Sequence, residues 1–495
     1  MKANGAMNCD AVVIGSGVAG MSAALMLADH GRRVILVEKH EHTAPLLRRF
    51  QRDGLYYEPG LHYLGGLGPT GSLSVMFRYL GIEDHIQTRP MNQQGYDIVN
   101  VDGAAPVRLP VGFANLREEL VRRYPNSRAA VIAYVDRVES IHTHTPFLSF
   151  DLPDDALDTK GFDSPESLAS FLMRHGAEPA LREMLSRYGM FLYGMDAGEC
   201  PITLHAMVQG SFYRSAHTLV DGGDGLIGAF ERRLSELGVE VLVGREVVRL
   251  ETDDRRSLRG VLLMDDQLIE CRDCVCTVHP QLLLGLFAKG SVRPAFLNRL
   301  RDQDNTPGVI GVFLEVDEPP VDLRSSNVYF VGSSCGATLS DGELAVMNCA
   351  SGGDSGGRKG LCLLRPCSFS WSSPRFRGGE GHTETYSALK REEADRTVEI
   401  FLQQFPGQRG KCRVREVATP GTYERYTSTV GGSAYGIKHS VDRTGLASIT
   451  PIRGLHLAGQ SVMAPGVFGV LISSLLAVSR VLGQQTVWNE VRQCR

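Results

Sequence analysis

The stretch Ala11-Val-Val-Ile-Gly15-Ser-Gly17-Val-Ala-Gly20-Met-Ser-Ala-Ala-Leu25 constrains this chain more than any other. An apolar strand runs into a glycine turn and then, without a break, into a helix. Each glycine has its own task. Gly15 permits the tight turn, Gly17 lets backbone approach a pyrophosphate, and Gly20 lets helix and strand pack closely. The helix N-terminus meanwhile offers unpaired N–H groups and a partial positive charge. Arg33–Val37 reads as the second strand, with Glu38 at its end, where a carboxylate hydrogen-bonds an adenosine ribose. Strand, glycines, helix, strand and acid stand in one register. A dinucleotide site is therefore expected at Gly15, Ser16, Gly17, Val18, Ala19, Gly20, Glu38 and Lys39.

A chain of 495 residues is too long for one compact core, so two or more domains are expected. With 52 basic and 56 acidic residues, nothing in the charge balance points to nucleic acid. The only dense cysteine group, Cys271-Arg-Asp-Cys274-Val-Cys276, has only His279 nearby. It lacks the second ligand pair of a zinc site. The run Leu268–Val278 reads instead as one strand in which cysteine serves as a small apolar residue, and no metal site is read. The other cysteines show no disulfide spacing, and no export signal is read, which favours a reducing, cytoplasmic location. The apolar run Val467–Leu482 is broken by Ser473, Ser474, Ser479 and Arg480 and reads as a buried helix, not a membrane span.

After Glu38 the regular alternation of a nicotinamide-binding domain stops. A loop containing Ala44-Pro45 and Arg48-Arg49, a hairpin at Asp53-Gly54, and a second glycine-dense loop through Pro59-Gly60-Leu-His62-Tyr-Leu-Gly65-Gly66 follow. That departure shifts the cofactor from NAD toward FAD. Helices are expected at Ser72–Leu80, Phe113–Tyr124, Arg128–His142 and Ser167–His175. Pro179–Tyr193 carries an apolar stripe (Leu181, Met184, Leu185, Met190, Phe191, Leu192). Core packing is the default for it, and a lipophilic channel or membrane-contacting rim the alternative.

At Asp221-Gly222-Gly223-Asp224-Gly225 a second βαβ-like unit begins, with a helix over Leu226–Leu237 and a strand over Val239–Leu242. A meander follows, opened by Glu246-Val247. From Val309 the pattern turns to antiparallel strands at Val309–Val316, Val328–Val331, Leu344–Cys349 and Gly360–Pro366, with Gly/Ser/Arg-rich loops at Ser351–Lys359 and Ser372–His382. A helix over Tyr386–Phe405 is stopped by Pro406-Gly407. The chain then returns to strand, glycine and helix in Gly454-Leu-His-Leu-Ala-Gly459-Gln460 and Pro465-Gly466-Val467-Phe468-Gly469. A helix dipole there can stabilise negative charge on a reduced flavin ring.

These motifs resemble those of the FAD-dependent phytoene desaturase, carotenoid isomerase and retinol saturase family, over nearly the whole chain. Asp53-Gly54-Leu55, Pro59-Gly60-Leu61-His62-Tyr63, the segment Gly431-Gly432-Ser-Ala-Tyr435-Gly436-Ile-Lys-His439 and Gly459-Gln460 carry the likeness most sharply, and they are saturase-like. One departure stands out: Ala44-Pro45 replaces the family's Gly-Gly pair, so the loop over the cofactor phosphates must be shaped differently. The resemblance implies an α/β fold, with a discontinuous Rossmann-type FAD-binding domain (9–90, 218–280 and 441–488). An α+β substrate domain built on an antiparallel sheet (91–217 and 281–440) is inserted in it. It extends the FAD contacts to Arg48, Gly60, His62, Val247, Gly459, Gln460, Gly466, Val467 and Phe468.

The resemblance further implies hydride transfer between flavin and a C=C bond of a lipophilic polyene, retinoid- or carotenoid-like, with reduction favoured over desaturation or isomerisation. Such a reduction needs a proton donor beside the double bond, and Tyr435, His439, His62 and His205 are the candidates. An amine-oxidase-like enzyme shares the plan, and a binding or escort protein without cofactor is a further alternative. A nicotinamide dehydrogenase is disfavoured because only one nucleotide motif is present, which leaves the electron donor or acceptor unknown. A lipid-dissolved substrate is compatible with peripheral contact at a membrane.

Overall fold

The computed structural model describes residues 7–150, 166–332, 344–349, 358–367, 377–378, 381–382, 384–443 and 446–495. The Gly/Ser/Arg-rich stretches at Ser351–Lys359 and Ser372–His382 fall largely outside those residues.

Three sheets organise the chain. The first is five-stranded and wholly parallel, in the order Glu240–Leu242, Val34–Val37, Ala11–Ile14, Asp273–Cys276, Leu455–Leu457. Its central strands Ala11–Ile14 and Val34–Val37 are buried at every position, which is why they read as uninterrupted apolar runs instead of alternating ones. Strand order reverses at Ala11–Ile14, whose chain successor lies on one side and Asp273–Cys276 on the other. A crevice therefore opens at the carboxyl ends of these strands. Two helices cover the sheet there. Val18–Asp29 is buried from Val18 through Leu27, and Gly466–Leu482 packs against it, with Ser474 Oγ donating to the Ala19 carbonyl at 2.8 Å. No helix among the described residues is long and apolar enough to cross a membrane.

The second sheet is a four-stranded layer that includes Val247–Thr252, Leu258–Leu263 and Leu268–Glu270. Here the expectation of one strand over Leu268–Val278 is corrected. The run breaks at Cys271-Arg272 into Leu268–Glu270, paired with the meander, and Asp273–Cys276, which enters the centre of the parallel sheet. Apolar composition concealed the break because both pieces are core, and Cys271, Cys274 and Cys276 are buried free thiols.

The third sheet has seven strands in the order Cys412–Ala418, Gly308–Val316, Lys359–Cys367, Leu344–Cys349, Asn327–Val331, Asp97–Val101, Val107–Leu109. All neighbours are antiparallel except Asn327–Val331 with Asp97–Val101. Three of these strands, Asp97–Val101, Val107–Leu109 and Cys412–Ala418, were not read from the sequence. The sheet is buried on both faces, and the two-residue period of a strand divides the side chains between them. Ile310, Val312, Val328, Met347 and Leu363 face the helix Glu384–Gln404, packing with Ile400 and Phe401. Val309, Tyr329, Val346, Asn348 and Leu364 face the other way, into a cavity.

The expected helices are present as Ser72–Tyr79, Phe113–Arg123, Arg128–His144 and Leu168–Arg174. The helix expected over Leu226–Leu237 begins earlier, at Gly222. At the hairpin, Asp53 and Gly54 both take positive φ, 49° and 83°, as a two-residue type I′ turn requires.

Candidate active site

The glycine turn has the form of an anion cradle. Gly15 sits at φ +93°, and a Cβ on Gly20 would fall 1.8 Å from the Gly15 carbonyl oxygen, so the helix rests directly on the turn. Nothing lies within 4 Å of the position a Gly17 Cβ would occupy. The helix Val18–Asp29 has neither a side-chain cap nor an acidic residue in its first turn, so its terminal N–H groups remain available to phosphate. Glu38 is buried at the end of the second strand. One carboxylate oxygen accepts from Ser16 N–H at 2.8 Å and Ser16 Oγ–H at 2.7 Å, and the other from His40 N–H at 2.9 Å. Lys39 beside it is exposed.

At the far end of the chain Gly459, at φ +115°, is fastened through its N–H to Ser473 Oγ at 2.9 Å. The helix Gly466–Leu482 again starts with no side-chain cap and no acid in its first turn. Gly466 is exposed and Val467, Phe468 and Gln460 are partly exposed, in a core that is otherwise closed. The residues present thus fit a dinucleotide cofactor gripped by two helix N-termini.

Arg48 is turned away to Glu231 at 2.7 Å and to the Thr43 carbonyl at 3.0 Å, which satisfies its charge without a phosphate. Ala44, in the position of the glycine pair, keeps a left-handed backbone (φ 45°), which costs about 1–2 kcal/mol in a residue bearing a Cβ. Val247 is a buried strand residue of the four-stranded sheet.

Between the third sheet and the loop 59–63 lies a cavity, open at its mouth. Among the described residues its lining is mainly apolar and aromatic, with no Asp, Glu, Lys or Arg. Met190, Phe191 and Leu192, the end of the stripe on Pro179–Tyr193, face it, whereas Leu181, Met184 and Leu185 are fully buried core. The stripe is therefore divided between core and cavity wall. Gly60, His62 and Tyr63 form one wall, Ser433, Ala434 and Tyr435 another. The second wall is tied to the Gly459 turn, since Ile437 N–H donates to Ser461 Oγ at 3.1 Å and a ring nitrogen of His439 meets the Gln460 carbonyl at 2.8 Å.

Of the four candidate proton donors, two reach the cavity. His62 lines it with a buried, unpartnered Nδ1, and burial holds its pKa down at about 4, so it is neutral at pH 7. Tyr435 lines it too, but its hydroxyl donates to the Phe191 carbonyl. His439 braces backbone and is not among the lining residues. His205 is a correction: it is fully buried between Tyr134, 2.7 Å from Nε2, and Tyr193, 3.1 Å from Nδ1. Both ring nitrogens are occupied, and burial drives the pKa to about 3.

The sequence reading missed Asp97. It is fully buried in its strand, directly opposite Asn327 in the parallel pair, and on the cavity side of the sheet. Its Oδ2 accepts from Tyr188 at 2.5 Å and Tyr63 at 2.9 Å, and its Oδ1 from Asn327 Nδ2 at 2.8 Å. An acid inside Tyr96-Asp97-Ile98-Val99 was the available signal, since a charge in an apolar strand requires a partner.

The model of the flavin containing amine oxidoreductases matches residues 18–482. The chain belongs to that family. Among curated relatives, all-trans-retinol 13,14-reductase of Homo sapiens is 25% identical, covering 96% of this chain and 85% of the relative. The Rattus norvegicus protein of that name is 24% identical over the same shares. The chloroplastic prolycopene isomerase of Arabidopsis thaliana is 22% identical, over 95% and 82%. Among solved structures, an oxidoreductase from Methanosarcina mazei superposes with a TM-score of 0.68 at 16% identity, over 96% of this chain and all of its own. A putrescine oxidase bound to putrescine gives 0.64 at 16%, over 96% and 99%. A flavin family whose member carries a dinucleotide turn uses FAD, and this chain is an FAD-dependent oxidoreductase of α/β fold, with a Rossmann-type sheet joined to a second, largely antiparallel one.

Proposed function

We propose that the chain reduces a C=C bond of a lipophilic polyene, of the retinoid or carotenoid type. The observation that carries this is the uncharged, aromatic cavity beside the Gly459 turn. An alkyl ammonium entering it would meet no carboxylate among the described lining residues, which counts against amine oxidation. The activity for which the retinol 13,14-reductase relatives are named supports reduction. The prolycopene isomerase relatives keep cis–trans isomerisation as the second reading.

We assign the cofactor to 9–90, 218–280 and 441–488, which supply every strand of the parallel sheet, and the substrate to 91–217 and 281–440, which supply all seven strands of the third. When bound, the flavin supplies and accepts hydride. Gly15–Gly20 and Glu38 would hold its nucleotide and the helix N-terminus at Gly466 would offer it unpaired N–H groups, while Met190, Phe191 and Leu192 would bind the substrate and exclude water. The reductant is a separate molecule. Tyr426, 53% exposed beside the cavity residues Tyr423 and Thr427, is a point of peripheral contact through which an oily substrate can enter.

The test is anaerobic. Flavin in the holoenzyme is reduced, candidate polyenes are added, and reoxidation is followed together with product mass. A product richer by two hydrogens supports reductase action, and one of unchanged mass and altered geometry supports isomerase action. Peroxide formed from amines in air supports the amine-oxidase alternative. Because the Tyr435 hydroxyl is committed to Phe191, Tyr435→Phe is expected to keep kcat within about tenfold. A loss beyond the ~10²-fold typical of a removed acid would make Tyr435 the donor.

A further inference from the structure

The unabsorbed feature of this site is a buried acid surrounded by tyrosines on the cavity wall. We propose that Tyr63 delivers the proton for C=C reduction and that Asp97 reloads it, an inference that rests on the reductase reading above. Tyr63 and Tyr329 both line the cavity, their hydroxyls are 2.9 Å apart, and the Tyr63 hydroxyl is 2.9 Å from Asp97 Oδ2.

The hydrogen-bond inventory makes the cluster directional. Gln209 Nε2 donates to the Tyr188 oxygen at 2.9 Å, so the proton of Tyr188 is left for Asp97, and Asn327 Nδ2 donates to the second carboxyl oxygen. With Asp97 ionised, the proton of Tyr63 is also drawn to Oδ2 and away from the cavity. With Asp97 protonated, the carboxyl proton has the Tyr63 oxygen as its acceptor, and the O–H of Tyr63 is released toward Tyr329 and the cavity.

Charge state therefore decides whether the wall can act as an acid. The titratable groups facing Asp97 are Tyr63, Tyr96, Tyr188, Tyr213 and Tyr329, and none carries positive charge. Burial without a counter-ion pushes its pKa up to about 7, against the pull of its hydrogen bonds, and burial likewise keeps the surrounding tyrosines neutral.

When bound as the reduced anion, the flavin would supply a hydride, with its electron pair, to one alkene carbon and be left oxidised, and the π bond breaks as negative charge spreads along the conjugated chain. The adjacent carbon takes a proton from Tyr63, forming the second C–H bond. The Tyr63 oxygen takes the Asp97 proton, and the carboxylate is reprotonated from solvent between turnovers. Tyr63 is the catalytic residue and Asp97 a positioning residue that acts through it.

The holoenzyme tests this through pH dependence and isotope. Reoxidation of reduced flavin by the polyene should fall about tenfold per pH unit above about pH 7. Tyr63→Phe should slow it at least about a hundredfold with KM changed by less than a few fold. Asp97→Asn, which keeps shape and polarity, should slow it and abolish the pH break. In D2O the carbon next to the hydride acceptor should carry deuterium. A Tyr63→Phe rate within a few fold of wild type, or an unchanged pH break in Asp97→Asn, overturns the proposal. Wild-type flavin that no polyene reoxidises overturns the reductase reading instead. Difference infrared titration then still decides Asp97: a carboxyl band absent from Asp97→Asn and titrating near pH 7 supports the reloading role, and a midpoint in the ordinary carboxylate range overturns it.

Discussion

Gly20→Ala is expected to yield a destabilised protein that binds no FAD, whereas Gly17→Ala is expected to yield a normally stable apoprotein that binds FAD at least about tenfold more weakly. The contrast follows from what each Cβ would meet. At Gly20 it would lie 1.8 Å from the Gly15 carbonyl oxygen and 2.9 Å from its carbon. Both are backbone atoms that cannot step aside, so the helix must lift off the turn. Overpacking of this kind costs about 1–3 kcal/mol or more. It also misdirects the helix N-terminus that should face the pyrophosphate. At Gly17 the backbone (φ −62°, ψ 176°) suits any residue, and no protein atom is near. The space a Cβ would enter is that of the cofactor, and a tenfold loss of affinity corresponds to about 1.4 kcal/mol. Flavin absorbance after purification and thermal melts of the two apoproteins measure the two effects separately. Equal melting temperatures for the variants would show that the close approach at Gly20 does not hold the turn.

Those glycines were legible because the turn is local: strand, turn and helix are contiguous, and each glycine answers a backbone constraint that no distant residue can supply. The closing segment was legible for the same reason, since Gly459 and Gly466 stand at a strand end and a helix start. The cavity chemistry was not. Asp97 draws its partners from Tyr63 in a loop, Tyr188 on a helix and Asn327 on the paired strand some 230 residues away, a set that only the tertiary fold brings together. His205 misled in the opposite direction. A histidine beside apolar residues reads as an acid–base candidate until Tyr134 and Tyr193 are seen to occupy both of its nitrogens. The strand Asp97–Val101 escaped notice because it is short and half polar, and its place in the sheet comes from Asn327–Val331, not from its own periodicity.

Acidification from pH 7 to pH 5 is expected to cost the protein about 5 kcal/mol of stability, and the Asp97→Asn variant about 7–8 kcal/mol. Burial lowers the pKa values of His62, His142, His205 and His279 from 6.5 to about 4, 4, 3 and 4. Each is held neutral in the fold and free to charge in the unfolded chain. The stability each contributes is complete above pH 6.5 and drains away as the pH falls toward the folded value, by about 2 kcal/mol at pH 5. Asp97 works in the other direction. Its pKa is raised from 3.8 to about 7, so between those values the fold binds a proton that the unfolded chain does not, and it gains about 2 kcal/mol by pH 5. Removing that gain leaves the histidines unopposed, which is why the variant should be more acid-labile although its side chain is nearly the same shape. Against a total of about 5–15 kcal/mol, the wild-type loss is large enough to read from urea midpoints at the two pH values. If wild type and variant lose the same amount, Asp97 titrates as an ordinary carboxylate and the tyrosines around it are a hydrogen-bonded wall with no acid behind them.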